Sequence, residues 1–191
     1  MNTKLTLIIT FLLFSSFTYA QWELRAGIGI ANPITGYKTI TGSGVLYQLD
    51  AAKHLNNKRW SVGLTLAWAR MHNDNDASDK FINTRLDQVP ILATAEYELT
   101  TTKLIPYVGL GLGVSLYNLN YDVSPTEGET DFNASFSMMP RLGVKMQASE
   151  HWIPFLEVNS PFVMDGPPIG VDKGEKATGY VGVAIGTAYR F

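Results

Sequence analysis

Nine charged side chains sit at positions that otherwise alternate through glycine, alanine, serine and threonine. They are Glu23, Arg25, Asp50, Glu96, Glu98, Arg141, Lys145, Glu157 and Arg190. Acids and bases confined on one face of a wall either neutralise one another as ion pairs or carry a proton or a solute. Arg25, Glu96, Arg141, Lys145, Glu157 and Arg190 form the candidate polar network. Nucleophilic chemistry is poorly supplied. The chain has no cysteine and three histidines, His54, His72 and His151. The spacing puts His54 and His151 in short turns and His72 at the start of a long loop. None has a serine at close same-strand spacing, so a Ser-His-acid lipid hydrolase or acyltransferase is a weak fit.

Metal and cofactor motifs fail on their details. His72-Asn73-Asp74-Asn75-Asp76-Ala77-Ser78-Asp79 is rich in oxygen donors, but it lacks the glycine and the distant glutamate of a calcium loop. It reads as a solvated acidic loop, as does the stretch with Asp122, Glu127, Glu129 and Asp131. Gly109-Leu110-Gly111-Leu112-Gly113 lies inside a strand pattern with no helix after it, so it cradles no phosphate. No catalytic residue, metal site or cofactor is expected.

The elements that position the charges are strands. Side chains of period two mark Gln21–Ala31, Gly44–Lys53, Arg59–Met71, Arg85–Leu99, Leu104–Tyr121, Asn133–Ala148, Trp152–Asn159 and Thr178–Phe191. The gaps hold 12, 5, 13, 4, 11, 3 and 18 residues, long and short in strict alternation. That is the pattern of an all-β, eight-stranded antiparallel up-and-down transmembrane barrel, with short periplasmic turns and long external loops. Asn56-Asn57, Thr100-Thr101-Thr102-Lys103 and Ser149-Glu150-His151 supply the short turns. Leu104-Ile105-Pro106-Tyr107-Val108 returns as Trp152-Ile153-Pro154-Phe155-Leu156, a hairpin repeat. Pro90 and Pro140 fall inside strands and should mark bulges or misplaced boundaries.

Residues 1–20 read as a secretory leader: Lys4, an apolar run over Leu5–Phe14, then Thr18-Tyr19-Ala20 ahead of cleavage. Residues 21–191 are then one barrel domain. Lys4 leaves with the leader, so 14 basic residues face 17 acidic ones, a net charge of −3. That balance excludes a nucleic-acid partner. With no cysteine behind the leader, lipid attachment through a thiol is excluded too.

Alternation alone does not say which face is inside. The rows Ser61, Gly63, Thr65, Ala67, Ala69 and Tyr107, Gly109, Gly111, Gly113, Ser115 are small and almost uncharged, unlike a water-facing surface. They suit the crowded interior of eight strands, which argues that the charges among them plug the lumen. Trp60, Val62, Leu64, Leu66, Trp68 and Val108, Leu110, Leu112, Val114, Leu116 then face hydrocarbon. Trp22, Trp60, Tyr97, Trp152, Tyr189 and Phe191 all fall at one end of their strands, as a periplasmic aromatic girdle would.

The ending, with Gly186, Tyr189 and Phe191, resembles the C-terminal signature of bacterial outer-membrane barrels, although Ala184 stands where a polar residue is common. With Val89-Pro90-Ile91-Leu92 and Pro106-Tyr107-Val108-Gly109-Leu110-Gly111, the chain resembles small outer-membrane barrels of the OmpA/OmpX-like superfamily, in particular the Bacteroidetes-type outer-membrane β-barrel domain family. The resemblance implies export to the outer membrane of a Gram-negative bacterium and a monomer without enzymatic activity. Its implied partners are outer-membrane lipids, lipopolysaccharide and, through the C-terminal strand, the barrel-assembly machinery. The alternative it leaves is porin-like: a small apolar molecule bound in, or passed through, a lateral or luminal pocket beside Gly109–Gly113. No peptidoglycan-binding domain is expected.

Overall fold

The computed structural model describes residues 22–34, 41–55, 59–73, 82–123, 126–129, 133–164 and 177–191. Eight long strands run through it. They are β1 (Trp22–Ile34), β2 (Gly44–His54), β3 (Trp60–Asn73), β4 (Ile82–Glu98), β5 (Leu104–Val123), β7 (Asn133–Met146), β8 (Trp152–Asn159) and β10 (Ala177–Arg190). Two short ones, β6 (Thr126–Glu129) and β9 (Phe162–Met164), extend them. Every pairing is antiparallel. Sequential neighbours pair from β1 to β5, then β5 with β7, β7 with β8, β8 with β10, and β10 with β1. The eight long strands therefore close into a tube, with β6 added along the end of β5.

Short connections gather at one end, the lower rim, and are held by their own polar groups. Thr100 and Thr102 both donate Oγ1 to the Leu104 carbonyl, at 2.9 and 2.8 Å, and Ser149 Oγ accepts from the Trp152 amide at 3.0 Å. The closing seam finishes at this rim with the Phe191 amide on the Trp22 carbonyl at 2.9 Å. The turn residues 56–58, the acidic stretch 74–81 and the leader lie outside the described residues.

The alternation settles which face is which. Leu64 and Ile185 are each 64% exposed, whereas their strand neighbours Thr65 and Ala184 are 1% exposed. Leu110, Leu112, Val114, Leu142, Leu156 and Val183 are exposed in the same way. The apolar face is the outer one, all around the wall. Aromatic pairs meet at the lower rim: Trp60 tilted against Tyr97 at 4.9 Å, and Tyr189 edge-on to Trp152 at 5.2 Å and to Phe191 at 4.9 Å. Eight residues up β3 from Trp60, Trp68 stacks on Tyr47 at 5.6 Å. At ~3.3 Å per residue and a tilt of ~40°, the two tryptophans bracket ~20 Å of height, close to a spanning barrel's apolar band.

Above Trp68 the two faces exchange character. The outer positions become Arg70, Asp87 and Asn118, aligned by the register Arg70↔Asp87↔Asn118. Inside, Leu46, Met71, Leu86, Leu119, Val163 and Tyr180 pack into an apolar cluster. The upper wall is also longer than the period-two reading implied. Part of the expected 122–132 loop is strand, because β6 folds back along the end of β5.

Neither Pro90 nor Pro140 makes a bulge. Each leaves a gap in the ladder without shifting it. Pairs Leu66↔Ile91 and Ala69↔Gln88 flank Pro90 in one continuous register. Likewise Arg141↔Asn159 and Met138↔Phe162 flank Pro140, opposite the break at Ser160-Pro161 between β8 and β9. A ring nitrogen has no hydrogen to give, so the local bonds are lost, but the long strands on both sides hold the alignment.

Leu110→Arg sets a charge midway up the apolar face of β5 and should cost ~2–4 kcal/mol in a denaturant titration of vesicle-folded protein. Gly111→Arg points inward, where a Cβ would already stand 3.1 Å from Leu92 and 3.2 Å from Thr94. It should impair folding through crowding, independent of bilayer thickness. Varying lipid chain length separates the two variants.

Candidate functional site

The inward charges assemble in two linked tiers. The lower tier lies just above the aromatic rim. Arg25 reaches from β1 across the lumen to β4, where NH1 and NH2 grip the two oxygens of Glu96 at 2.7 and 3.0 Å. Its Nε donates to Glu23 at 2.6 Å. Lys145 on β7 donates to Glu96 and, at 3.0 Å, to Glu98, with Glu23 3.4 Å away. Arg190 sits opposite Glu23 in the closing register and donates to it at 2.5 Å.

Arg141 is the hub of the middle tier. NH1 donates to Asp50 and to the Thr65 hydroxyl, both at 2.9 Å, and Nε donates to Glu157 at 2.8 Å. Thr65 in turn donates to Asp50. The Tyr107 hydroxyl donates to Glu157 at 2.7 Å. Gln48 bridges Asp50 and Glu157 at 2.8 and 3.1 Å, and Asn159 donates to Gln48 at 2.8 Å. The Tyr107 ring joins the tiers, with Lys145 Nζ 4.8 Å and the Arg25 guanidinium 5.6 Å from its centre. Cations over an aromatic face add attraction where water is excluded. Each of the eight long strands contributes at least one side chain to this web.

Every carboxylate in the web touches a cation or a donor, as burial demands. Glu23, Arg25, Asp50, Glu96, Arg141, Lys145 and Glu157 are all at most 6% exposed. Five carboxylates face four permanent cations, and His54 also reaches into the lower tier. It is the last residue of β2, buried, with Nε2 3.0 Å from Glu23 and 3.1 Å from Arg190. The period-two pattern put it in a turn; one more inward step along the strand takes it into the lumen. Glu23, His54 and Glu98 are close enough to share a metal ion, but Arg190 and Lys145 already lie against the same carboxylates.

Of the six network residues read from sequence, Arg141 and Glu157 meet, and Arg25, Glu96 and Lys145 meet. Arg190 joins through Glu23 and Glu98. Lys145 and Glu157, on adjacent strands, do not pair. Register sets Lys145 opposite Phe155 and aims it down at the lower tier. Sequence reasoning set Thr65 and Tyr107 on the inward rows without joining them to the network, and it missed Gln48 and Asn159, whose inward parity was the available signal.

The space over the β5 glycines is used. A Cβ on Gly109 would stand 2.9 Å from Arg141, and one on Gly111 would meet Leu92 and Thr94. His151 lies at the lower rim, its Nδ1 2.8 Å from the Arg190 carbonyl and its ring stacked on Tyr189. His72 is exposed at the top of β3.

No protein-family model matches the chain, and no curated protein sequence matches it. Solved structures do. Neisserial surface protein A aligns with a TM-score of 0.60 at 16% identity, covering 89% of this chain and 97% of that one. OprG from Pseudomonas aeruginosa aligns with a TM-score of 0.59 at 16% identity, covering 90% and 96%. Ail, the attachment invasion locus protein of Yersinia pestis, aligns with a TM-score of 0.58 at 11% identity, covering 90% and 99%. Identities this low speak for the fold, and they agree with the closed register and the outward leucines. This chain is an eight-stranded antiparallel β-barrel with the architecture of the small OmpA/OmpX-like outer-membrane barrels.

Proposed function

We propose that the protein is a non-catalytic integral outer-membrane barrel whose lumen is closed by its own side chains and whose upper loops face outward. The observation that carries this reading is Arg141. It lies across the lumen, over Gly109, and is bonded to β2, β3 and β8 at once. An ion or solute entering from either rim would have to displace a guanidinium from two carboxylates. The exposed leucines supply the complementary reason: such a wall is stable only against hydrocarbon. Export by residues 1–20, assembly through β10 and a monomeric state complete the proposal. Lipids and lipopolysaccharide are the partners of the apolar face. The porin-like alternative requires space beside Gly109–Gly113 that Arg141, Thr94 and Leu92 take up.

Purified protein in a planar bilayer should show no stable, large conductance steps. Regular steps in the unmutated protein would overturn the plug. Arg141→Met leaves Asp50 and Glu157 facing each other without their common cation. Breaking a buried pair by removing one partner costs roughly 3–5 kcal/mol, and a urea titration of the folded barrel should show a loss of that size. Unfolding at unchanged urea would mean that the web does not hold the wall.

A further inference from the structure

Every other charged member of the ion web is buried, but the Arg190 side chain is 20% exposed at the lower rim, where β10 ends. Its NH2 nitrogen lies 2.5 Å from Glu23 Oε2, 3.1 Å from His54 Nε2 and 3.4 Å from Glu98 Oε1. Three atoms, from β1, β2 and β4, thus converge on one cationic nitrogen, and they lie within 4.8 Å of one another. Two carboxylate oxygens and an imidazole nitrogen are also a donor set that zinc accepts.

The guanidinium fits this place with one conflict. His54 Nε2 is 3.0 Å from Glu23 Oε2 as well as 3.1 Å from Arg190. A single ring nitrogen either accepts from Arg190 or donates to Glu23, so one of the two short contacts stays unsatisfied. A metal ion removes the conflict. It takes the lone pair of the neutral imidazole and that of the carboxylate, with no hydrogen between them. The other contacts survive the exchange. Glu23 keeps Arg25 on its second oxygen at 2.6 Å, and Glu98 keeps Lys145 at 3.0 Å.

Charge favours the same exchange. Five carboxylates against four permanent cations leave the web with one negative charge in excess when His54 is neutral. With Arg190 turned out to water and a divalent ion in its place, Arg25, Arg141, Lys145 and the metal balance the five acids. We propose that Glu23, His54 and Glu98 are a zinc site at the lower rim, and that Arg190 is the displaceable cation standing in for the metal. Bound zinc ties β1, β2 and β4 together beside the closing seam. Calcium and magnesium take oxygen ligands and gain nothing from His54.

The test uses the whole folded barrel without an affinity tag, stripped with a chelator and titrated with zinc against a fluorescent zinc indicator. The parent protein should bind one zinc ion, and calcium should not compete. R190A should bind zinc about tenfold more tightly, the size of one charged contact that the metal no longer displaces. H54Q should lose the binding, whereas H151Q, changed at a rim histidine outside the site, should keep it. Urea unfolding gives a second readout. In chelator R190A should unfold at lower urea than the parent, zinc should raise its midpoint, and R190A/H54Q should gain nothing from zinc. Should R190A fail to refold, the parent protein and H54Q decide alone. No zinc on the parent protein, binding that survives H54Q, calcium competing as strongly as zinc, or a folded R190A that binds no tighter and is not stabilised by zinc overturns the site. Each of these outcomes leaves the barrel and its plug standing.

Discussion

A wall set in hydrocarbon has no water to pair its peptide groups, so each amide and carbonyl must find its partner within the wall. Here that requirement is met by closure. The twelve-pair register of β1 with β10, from Glu23↔Arg190 to Ile34↔Gly179, turns an open sheet into a tube. Everything else accommodates this seam. The proline gaps illustrate how little departure is tolerated. Where Pro140 and Pro161 interrupt the ladder, the Ser160 amide bonds the Pro140 carbonyl at 3.0 Å and the Ser160 hydroxyl bonds the Tyr180 carbonyl at 2.9 Å. The lost backbone bonds are partly replaced, and the register on both sides is unchanged.

Closure at eight strands fixes a bore that side chains can just fill. The glycines and alanines of β5 and β10 set the free radius, and the long cations of β1 and β7 occupy it. A buried ion web is a poor source of net stability, because desolvation cancels most of the attraction. Its stronger effect is on specificity. A one-residue slip of β7 would turn Arg141 and Lys145 into hydrocarbon and bring Leu142 and Val144 inside. At roughly 2–4 kcal/mol for a basic residue at mid-membrane, as Arg141 would be, and less for Lys145 nearer the rim, that alternative is disfavoured. The ions thus fix the register that the hydrogen-bond ladder alone would leave degenerate.

The wall was legible in the sequence because it is written at period two over long stretches. Val108, Leu110, Leu112 and Val114 against Gly109, Gly111 and Gly113 leave only one assignment once the small row is recognised as an interior. The inward parity of the charges was legible for the same reason. Their partners were not. Parity places Arg141, Lys145 and Glu157 on one face, but contact depends on how far each chain reaches up or down the bore, which needs the register of non-neighbouring strands. Arg25 and Glu96 are three strands apart and meet across the lumen; no local pattern encodes that. His54 was missed for a smaller reason, a strand end one residue longer than the pattern implied.

The upper third of the barrel was the hardest to read, and its physics explains why. Below Trp68 the wall faces hydrocarbon outside and ions inside. Above it Arg70, Asp87 and Asn118 face outward, while Met71, Leu86, Tyr117 and Leu119 close the interior. The chain is a membrane barrel for most of its height and takes on the polarity of a water-soluble barrel at the top. Period two persists through the exchange, so alternation continues while its meaning reverses. An average over a strand such as β5, twenty residues long, blends both regimes. The exchange must occur at the depth where hydrocarbon gives way to headgroups, since neither polarity is stable on the wrong side of it. That depth is marked by an aromatic pair, Tyr47 and Trp68, with an arginine over the indole. It is the level at which an amphipathic ring and a guanidinium both find their preferred surroundings.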